Sequence, residues 1–422
     1  MKTSILLDHE PVADGGFLVR ALLRIEGDPP ADDARVPLNL SLVLDRSGSM
    51  SGPPLRAARD AACMLVRRLR TEDTVSVVAY DHEVTVIAPP ATGAQQEGLS
   101  SHIAAIESGG STNLSGGWLR GRDLIAENLR DGGVNRILLL TDGLANVGIK
   151  EPGALIGLCR SAAALGISTT TVGFGPDYDE DLLRAMADAG HGGTYYIERV
   201  DQAGGVFEEE LEGLLSLAAQ NVRVRIRPGA DAESVKVAHQ YPSHAEGPAL
   251  TLEVGDLYAR EPRRVLLEFL LSSEAPIGSS ADVGEITVTA HVLTADGGVE
   301  LRTITLPISL SPEEGGKVEP EVRKEVLLVA AARARDEALE AERRGDYQAG
   351  SSILREAASY LTSAPYADAT VAEEIDDLRA MERSLDQGSL SAQDIKYMKQ
   401  RSHDSNRSRH LSKERTRRTK ED

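Results

Sequence analysis

The sequence predicts an α/β fold: a doubly wound, largely parallel sheet, accompanied by a β-sandwich and a C-terminal helical segment. Three observations predict it. Between residues 38 and 219, apolar runs of strand length alternate with amphipathic helical stretches, the pattern of a sheet covered by helices on both faces. Residues 220 to 311 switch to period-two alternation broken by Gly, Pro and Asp, as in VRVRIRP and EITVTAHVLT. From 312 to 394 the spacing of apolar residues returns to that of helices.

Taken in order, residues 1–37 read as two strands, a short Ser4–Leu7 and a longer Phe17–Ile25, followed by the breaker GDPPADDARVP. Two strands do not hold together alone in water, so this segment is expected to complete the β-sandwich, with the α/β domain inserted between its parts. Leu38–Leu44 is a buried strand and Leu55–Leu69 a helix with arginines on its outer face. Thr74–Tyr80 and Glu83–Ala88 form a hairpin through Asp81-His82, which adds one antiparallel edge strand. Helices are expected at Leu99–Ile106, Asn113–Leu129, Gly153–Leu165, Asp179–Ala189 and Asp201–Ala219, and strands at Arg136–Thr141, Ile167–Phe174 and Thr194–Ile197. Residues 220–311 supply six short strands for the sandwich. In 312–394 a helix opens at Pro320, breaks at Gly345-Asp346-Tyr347, resumes through Leu354 and Leu361, and is followed by Val371–Leu385. The hairpin is similar to a tetratricopeptide-type pair, but such repeats need about three copies to bury a core, so a plain packed hairpin is expected. Residues 395–422 hold ten Lys and Arg against four Asp and Glu, about +6 against about −26 elsewhere, and are expected to be a disordered basic tail.

The first strand of the α/β segment runs straight into Asp45-Arg46-Ser47-Gly48-Ser49. Residues two apart in an extended segment point the same way. Asp45, Ser47 and Ser49 therefore converge at the carboxyl end of the strand, where open α/β sheets bind ligands. Thr112, in the loop GGSTN before a helix, offers a third hydroxyl, and Asp142 follows the strand ending at Thr141. Carboxylate and hydroxyl oxygens are hard donors that suit Mg²⁺ better than zinc or copper.

These three elements, D-x-S-x-S, a GG-T loop and a strand-end aspartate, resemble the von Willebrand factor type A (VWA) family and its metal-ion-dependent adhesion site. The resemblance covers 38–219 and implies a Rossmann-like VWA fold. It implies a site of Asp45, Ser47, Ser49, Thr112 and Asp142. Ser47, Ser49 and Thr112 would contact Mg²⁺, with Mn²⁺ and Ca²⁺ as alternatives, while Asp45 and Asp142 hold waters and the loop. Its implied function is metal-dependent protein binding, in which a partner's acidic residue completes the ion. Two further readings stand beside it: an accessory subunit of an AAA+ ATPase of the MoxR type, and a structural scaffold whose metal site is vestigial. Arg46 inside the loop is either a solvated charge or a selector of acidic partners.

Composition narrows the function classes. The formal charge of −20 argues against a nucleic-acid binder outside the basic tail. Two cysteines, Cys63 and Cys159, form no disulfide framework, which points to a reducing compartment. The N-terminal apolar run is too short for a secretion signal and no stretch approaches eighteen apolar residues. The expectation is a cytoplasmic protein without a membrane partner. The motifs G-x₄-G-K-[ST], HExxH and G-x-S-x-G are absent, and His82 and His191 read as turn residues, so binding is expected rather than catalysis.

Overall fold

The computed structural model describes residues 1–406 apart from 14–15, 29–35, 93–97, 131–132, 176–177, 260, 273–279, 295–297, 312–315, 366–367, 389 and 391. Most of the GDPPADDARVP break and the basic segment from Arg407 onward lie outside these residues. The chain falls into two compact units. One holds Pro29–Val222 and Ala290–Arg302; the other holds Met1–Asp28, Arg223–Thr289 and the chain from Thr303 on.

In the first unit six strands lie in the order β5-β4-β3-β6-β7-β8. They are β3 (Leu38–Asp45), β4 (Thr74–Tyr80), β5 (Val84–Thr92), β6 (Val134–Thr141), β7 (Ile167–Phe174) and β8 (His191–Ile197). β3, β4, β6 and β7 are buried along their whole length, which is why they read as continuous apolar runs. β3 pairs in parallel with both β4 and β6, while β5 closes the edge antiparallel to β4. The chain leaves β3 for β4 on one side and returns to β6 on the other. The carboxyl ends of β3 and β6 therefore flank the point where strand order reverses.

Helices α1 (Pro53–Arg68), α2 (Leu99–Ala104), α3 (Leu114–Ala126), α4 (Pro152–Ala164), α5 (Glu180–Ala189) and α6 (Ala203–Leu215) belong to this unit. α3 carries the fully buried Trp118, which packs in one cluster with Val43, Tyr80, Ile137, Leu139 and Met186. Its indole donates to Thr169 Oγ1 at 3.1 Å. Gly117 and Gly121, one turn apart, face the sheet: a Cβ on Gly117 would meet the Tyr80 ring and one on Gly121 the Val43 side chain. The two glycines let α3 lie close to β3 and β4, and so bring its first residues to the end of β3. Cys63 and Cys159 are buried, unpaired thiols on α1 and α4.

The helix expected over Asp201–Ala219 stops at Leu215, and strand β9 (Leu217–Pro228) starts two residues later. Val222, Val224 and Ile226 alternate inward, whereas Leu217, Ala218 and Ala219 are all buried, so the start of the strand carries no period of its own.

The second unit contains a four-stranded antiparallel sheet, β1-β2-β13-β10, built from β1 (Lys2–Pro11), β2 (Phe17–Glu26), β10 (Ala232–Val237) and β13 (Arg263–Leu271). β2 pairs with β1 on one side and β13 on the other, with Leu23 opposite Val265 and Val19 opposite Phe269. A five-stranded sheet runs β11-β12-β9-β14-β15, with β11 (Ser243–Glu246), β12 (Ala249–Tyr258), β14 (Ala281–Leu293) and β15 (Val299–Leu310). All six strands expected in 220–311 are present. β11 is additional; its four residues are exposed, so no apolar alternation marks it.

Helix α7 (Pro320–Arg343) packs Val322 and Val329 on Leu22 and Leu266 of the four-stranded sheet. Its other face joins α8 (Tyr347–Ser363), α9 (Ala369–Asp386) and α10 (Ala392–Asn406) in a helical core of Leu328, Leu354, Leu361, Leu378 and Met398. α10 corrects the expectation that the tail is disordered from residue 395. Met398 is fully buried, Ser402 Oγ donates to the Ala332 carbonyl at 3.0 Å, and Arg401 donates to Glu374 at 2.8 Å and Asp377 at 2.7 Å. Arg401 thus answers acids on α9 rather than solvent. No helix among the described residues is long and apolar enough to cross a membrane.

Candidate metal centre

The five residues singled out in the sequence meet at the carboxyl ends of β3 and β6. Asp45, the last residue of β3, is fully buried. Its Oδ1 accepts the Ser47 amide at 2.8 Å and its Oδ2 accepts the Thr141 hydroxyl at 2.6 Å. Those bonds curl the chain after β3 into a short 3-10 turn, Gly48–Met50. Ser47 Oγ then lies 3.1 Å from Ser49 Oγ, and Ser49 Oγ donates to Asp142 Oδ1 at 2.7 Å.

Thr112 arrives from the other side. Its amide donates to Asn146 Oδ1 at 2.8 Å, and its carbonyl accepts from the Asn146 and Val147 amides. Asn113 caps α3 through its side chain, which accepts from the Gly116 amide. A Cβ on Gly143 would lie 3.5 Å from Thr112 Oγ1 and 3.7 Å from Ser49 Oγ, so both hydroxyls border the space that this glycine leaves open.

Burial pushes the Asp45 carboxyl up to about 6. The Thr141 and Ser47 hydrogen bonds oppose that shift and the negative charge of Asp142 adds to it. Tyr80, fully buried beside Asp45, has its phenol pushed well above the ordinary value by burial and then by that carboxylate. Buried like charges of this kind favour a cation. Among the described residues no group of three or more His, Cys, Asp or Glu is placed to hold a metal. The donor set here is different: three hydroxyls and two carboxylates, all hard oxygens, which fit Mg²⁺ or Mn²⁺.

Three contributors were not marked by the sequence reading. Thr141 supports Asp45, Asn146 supports Thr112, and Asp81 holds Arg46. The Arg46 guanidinium lies 3.3 Å from Asp81 Oδ1, so it is a paired charge rather than a merely solvated one. A sequence signal for Asp81 existed: β3, β4 and β6 each run into an aspartate, and only two were taken up. His82 Nδ1 lies 3.3 Å from Asp81 Oδ2, and His191 Nδ1 lies 2.8 Å from Asn221 Oδ1. Both histidines are engaged away from the hydroxyl cluster.

The family model for the von Willebrand factor type A domain matches residues 39–209. The uncharacterised protein sll0103 of Synechocystis sp. is 27% identical over 368 residues, 84% of this chain and 86% of that protein. The uncharacterised protein YfbK of Escherichia coli is 30% identical over 190 residues, covering 44% of this chain but 33% of its own length. A solved structure, von Willebrand factor type A from Catenulispora acidiphila, is similar in fold, with a TM-score of 0.68 at 18% identity over 90% of this chain and 88% of that one. Residues 39–209 of the chain are a von Willebrand factor type A domain.

Proposed function

We propose that this chain is a metal-dependent protein-binding module, which takes a carboxylate of a partner protein at the end of strands β3 and β6. The observation that supports it is the run of oxygens from Ser47 Oγ to Ser49 Oγ to Asp142 Oδ1, at 3.1 and 2.7 Å, with Thr112 Oγ1 bordering the same space. Ser47, Ser49 and Thr112 would hold the ion, and Asp45 and Asp142 would fix the loops and its waters. A bound Mg²⁺ supplies an electrophilic position for an incoming carboxylate oxygen. Because the hydroxyls are neutral, the protein leaves most of the ion's charge unanswered. Leu144, two residues past Asp142, is 58% exposed and offers the partner an apolar contact beside the charge. Binding rather than turnover is the inferred role, since the histidines near these loops are engaged elsewhere.

The test is calorimetry with Mg²⁺ and Mn²⁺ on the wild type and on Ser47→Ala/Ser49→Ala, with capture of partners from lysate in the presence and absence of EDTA. The wild type is expected to bind and the double variant to lose binding. Equal binding by both would sink the assignment of the ion to these residues, and a complex indifferent to EDTA would leave a scaffold with a vestigial site.

A further inference from the structure

Three neighbouring strands, β3, β4 and β6, each run into an aspartate: Asp45, Asp81 and Asp142. Asp81 belongs to none of the hydroxyl contacts, yet it is 2% exposed. Its Oδ1 accepts the Glu83 amide at 2.8 Å and takes Arg46 Nη2 at 3.3 Å. Its Oδ2 accepts the Gly110 amide at 2.9 Å and lies 3.3 Å from His82 Nδ1. Its carbonyl accepts the Asn113 amide at 2.8 Å. The amides of Gly110 and Asn113 bracket Thr112, so Asp81 grips both sides of the loop that presents this hydroxyl.

The same residue reaches the serine loop. Arg46, held by Asp81, lies between Asp45 and Ser47, and its carbonyl accepts the Gly109 amide at 2.6 Å. The Gly48 amide donates to the Gly110 carbonyl at 2.9 Å. The two loops are therefore laced to each other and both are laced to Asp81. A Cβ on Gly109 would overlap the Asp81 carboxylate; the loop closes on Asp81 because position 109 has no side chain. Burial alone would raise the Asp81 carboxyl. The Gly110 and Glu83 amides, with Arg46 and His82, outweigh it and hold the group below the usual carboxylate range, so it is a standing anion that the Gly110 amide and Arg46 are drawn to.

We propose that Asp81 is a positioning residue for the cation site: it does not touch the ion, but sets the separation between the Thr112 hydroxyl and the Ser47–Ser49 pair. This rests on the reading of the site given above. It also gives Arg46 its role, as a strut between Asp81 and the serine loop rather than a contact for the partner.

The experiment uses the full chain and Mn²⁺ as the probe. Affinity is read by calorimetry, the number of waters on the ion by water-proton relaxation, and folding by thermal melting. Asp81→Asn, Thr112→Ala, Asp81→Asn/Thr112→Ala and Arg46→Ala are compared with the wild type. Asp81→Asn is expected to bind Mn²⁺ about 10- to 100-fold more weakly and to add a water to the ion, as Thr112→Ala does. The double variant is expected to be no weaker than Thr112→Ala, because the two residues act as one unit. Arg46→Ala should weaken binding in the same direction and serves if Asp81→Asn does not fold. Wild-type affinity and water count in Asp81→Asn, with only a lower melting temperature, would overturn the proposal and leave Asp81 a purely structural group. Multiplying losses in the double variant would overturn it too. Failure of the wild type to bind Mn²⁺ would overturn both the site and this role.

Discussion

Thr141 stands one position before Asp142, and that single step along β6 sends its hydroxyl to Asp45 instead of to the serines. Thr141→Val keeps the shape and removes the donor from a buried carboxylate. The expected cost is about 1–3 kcal/mol, measured by urea unfolding; a loss below a few tenths would show that Asp45 finds another donor. The residues of the site divide by how they could be read. Asp45, Ser47 and Ser49 are legible from the D-x-S-x-S pattern at a strand end, although the chain there curls into a 3-10 turn instead of staying extended, and Thr112 and Asp142 because each sits at a recognisable loop beside a strand or helix. Thr141 and Asn146 were illegible, since their roles depend on which strands and loops become neighbours, and Asp81 was marked only by its place at a strand end. Arg46 was misread for the same reason: nothing local says that its partner is thirty-five residues away in the next strand's turn.

Helix ends obey local rules more closely. Asp368 caps α9, accepting from the Thr370 and Val371 amides, and pairs with Lys324 of α7. Burial would raise its carboxyl, but Lys324 and the two amides outweigh this and hold it below the ordinary value. Its contribution is therefore fully present above the unfolded carboxylate range of about 3.9, and is lost as the pH falls through the lower, folded value. Asp368→Ala is expected to cost about 1 kcal/mol at neutral pH, and the gap from wild type should narrow in unfolding titrations carried to about pH 3. A gap that stays constant would assign the effect to packing. Elements with a continuous apolar run, such as β3 and β6, or with one clear period, such as α1, were readable to within a turn or a residue or two at their ends. The start of β9 was not, because Leu217, Ala218 and Ala219 are all buried and show no alternation. α10 was missed because Ile395, Tyr397 and Met398 are its few apolar anchors in a polar run, and its other ties are to polar and charged groups on α7 and α9.

At the scale of the molecule, the four-stranded sheet depends on the first 26 residues. β2 lies between β1 and β13, and Val19, Leu23, Val265 and Phe269 are fully buried. Removing residues 1–27 strips β13 of one of its two neighbours, leaving only β10, and bares a long apolar edge. The truncated chain is expected to aggregate, or to lose the cooperative melting of the β and helical unit, while residues 38–216 retain an α/β melting transition. Size-exclusion chromatography and calorimetry check this; a monomeric truncated chain with an unchanged melting profile would refute it. The need for a partner was legible, because two strands bury too little. Which strand supplied it was not, since several in 220–311 have the same alternation.

The pairing of β2 with β13 also fixes an order of events on the ribosome. Ile25 meets Arg263 and Phe17 meets Leu271, so the register cannot form until the whole intervening domain has been translated. At about 5–20 residues per second, the N-terminal hairpin waits on the order of ten seconds or more for its third strand. The six-stranded sheet and its helices are continuous in sequence, from Leu38 to Leu215, and need not wait. Through that interval the nascent hairpin shows a bare edge to its surroundings. Arg20 on β2 pairs with Asp8 and Glu10 on β1, ties that lie within the hairpin and are open to it before β13 arrives.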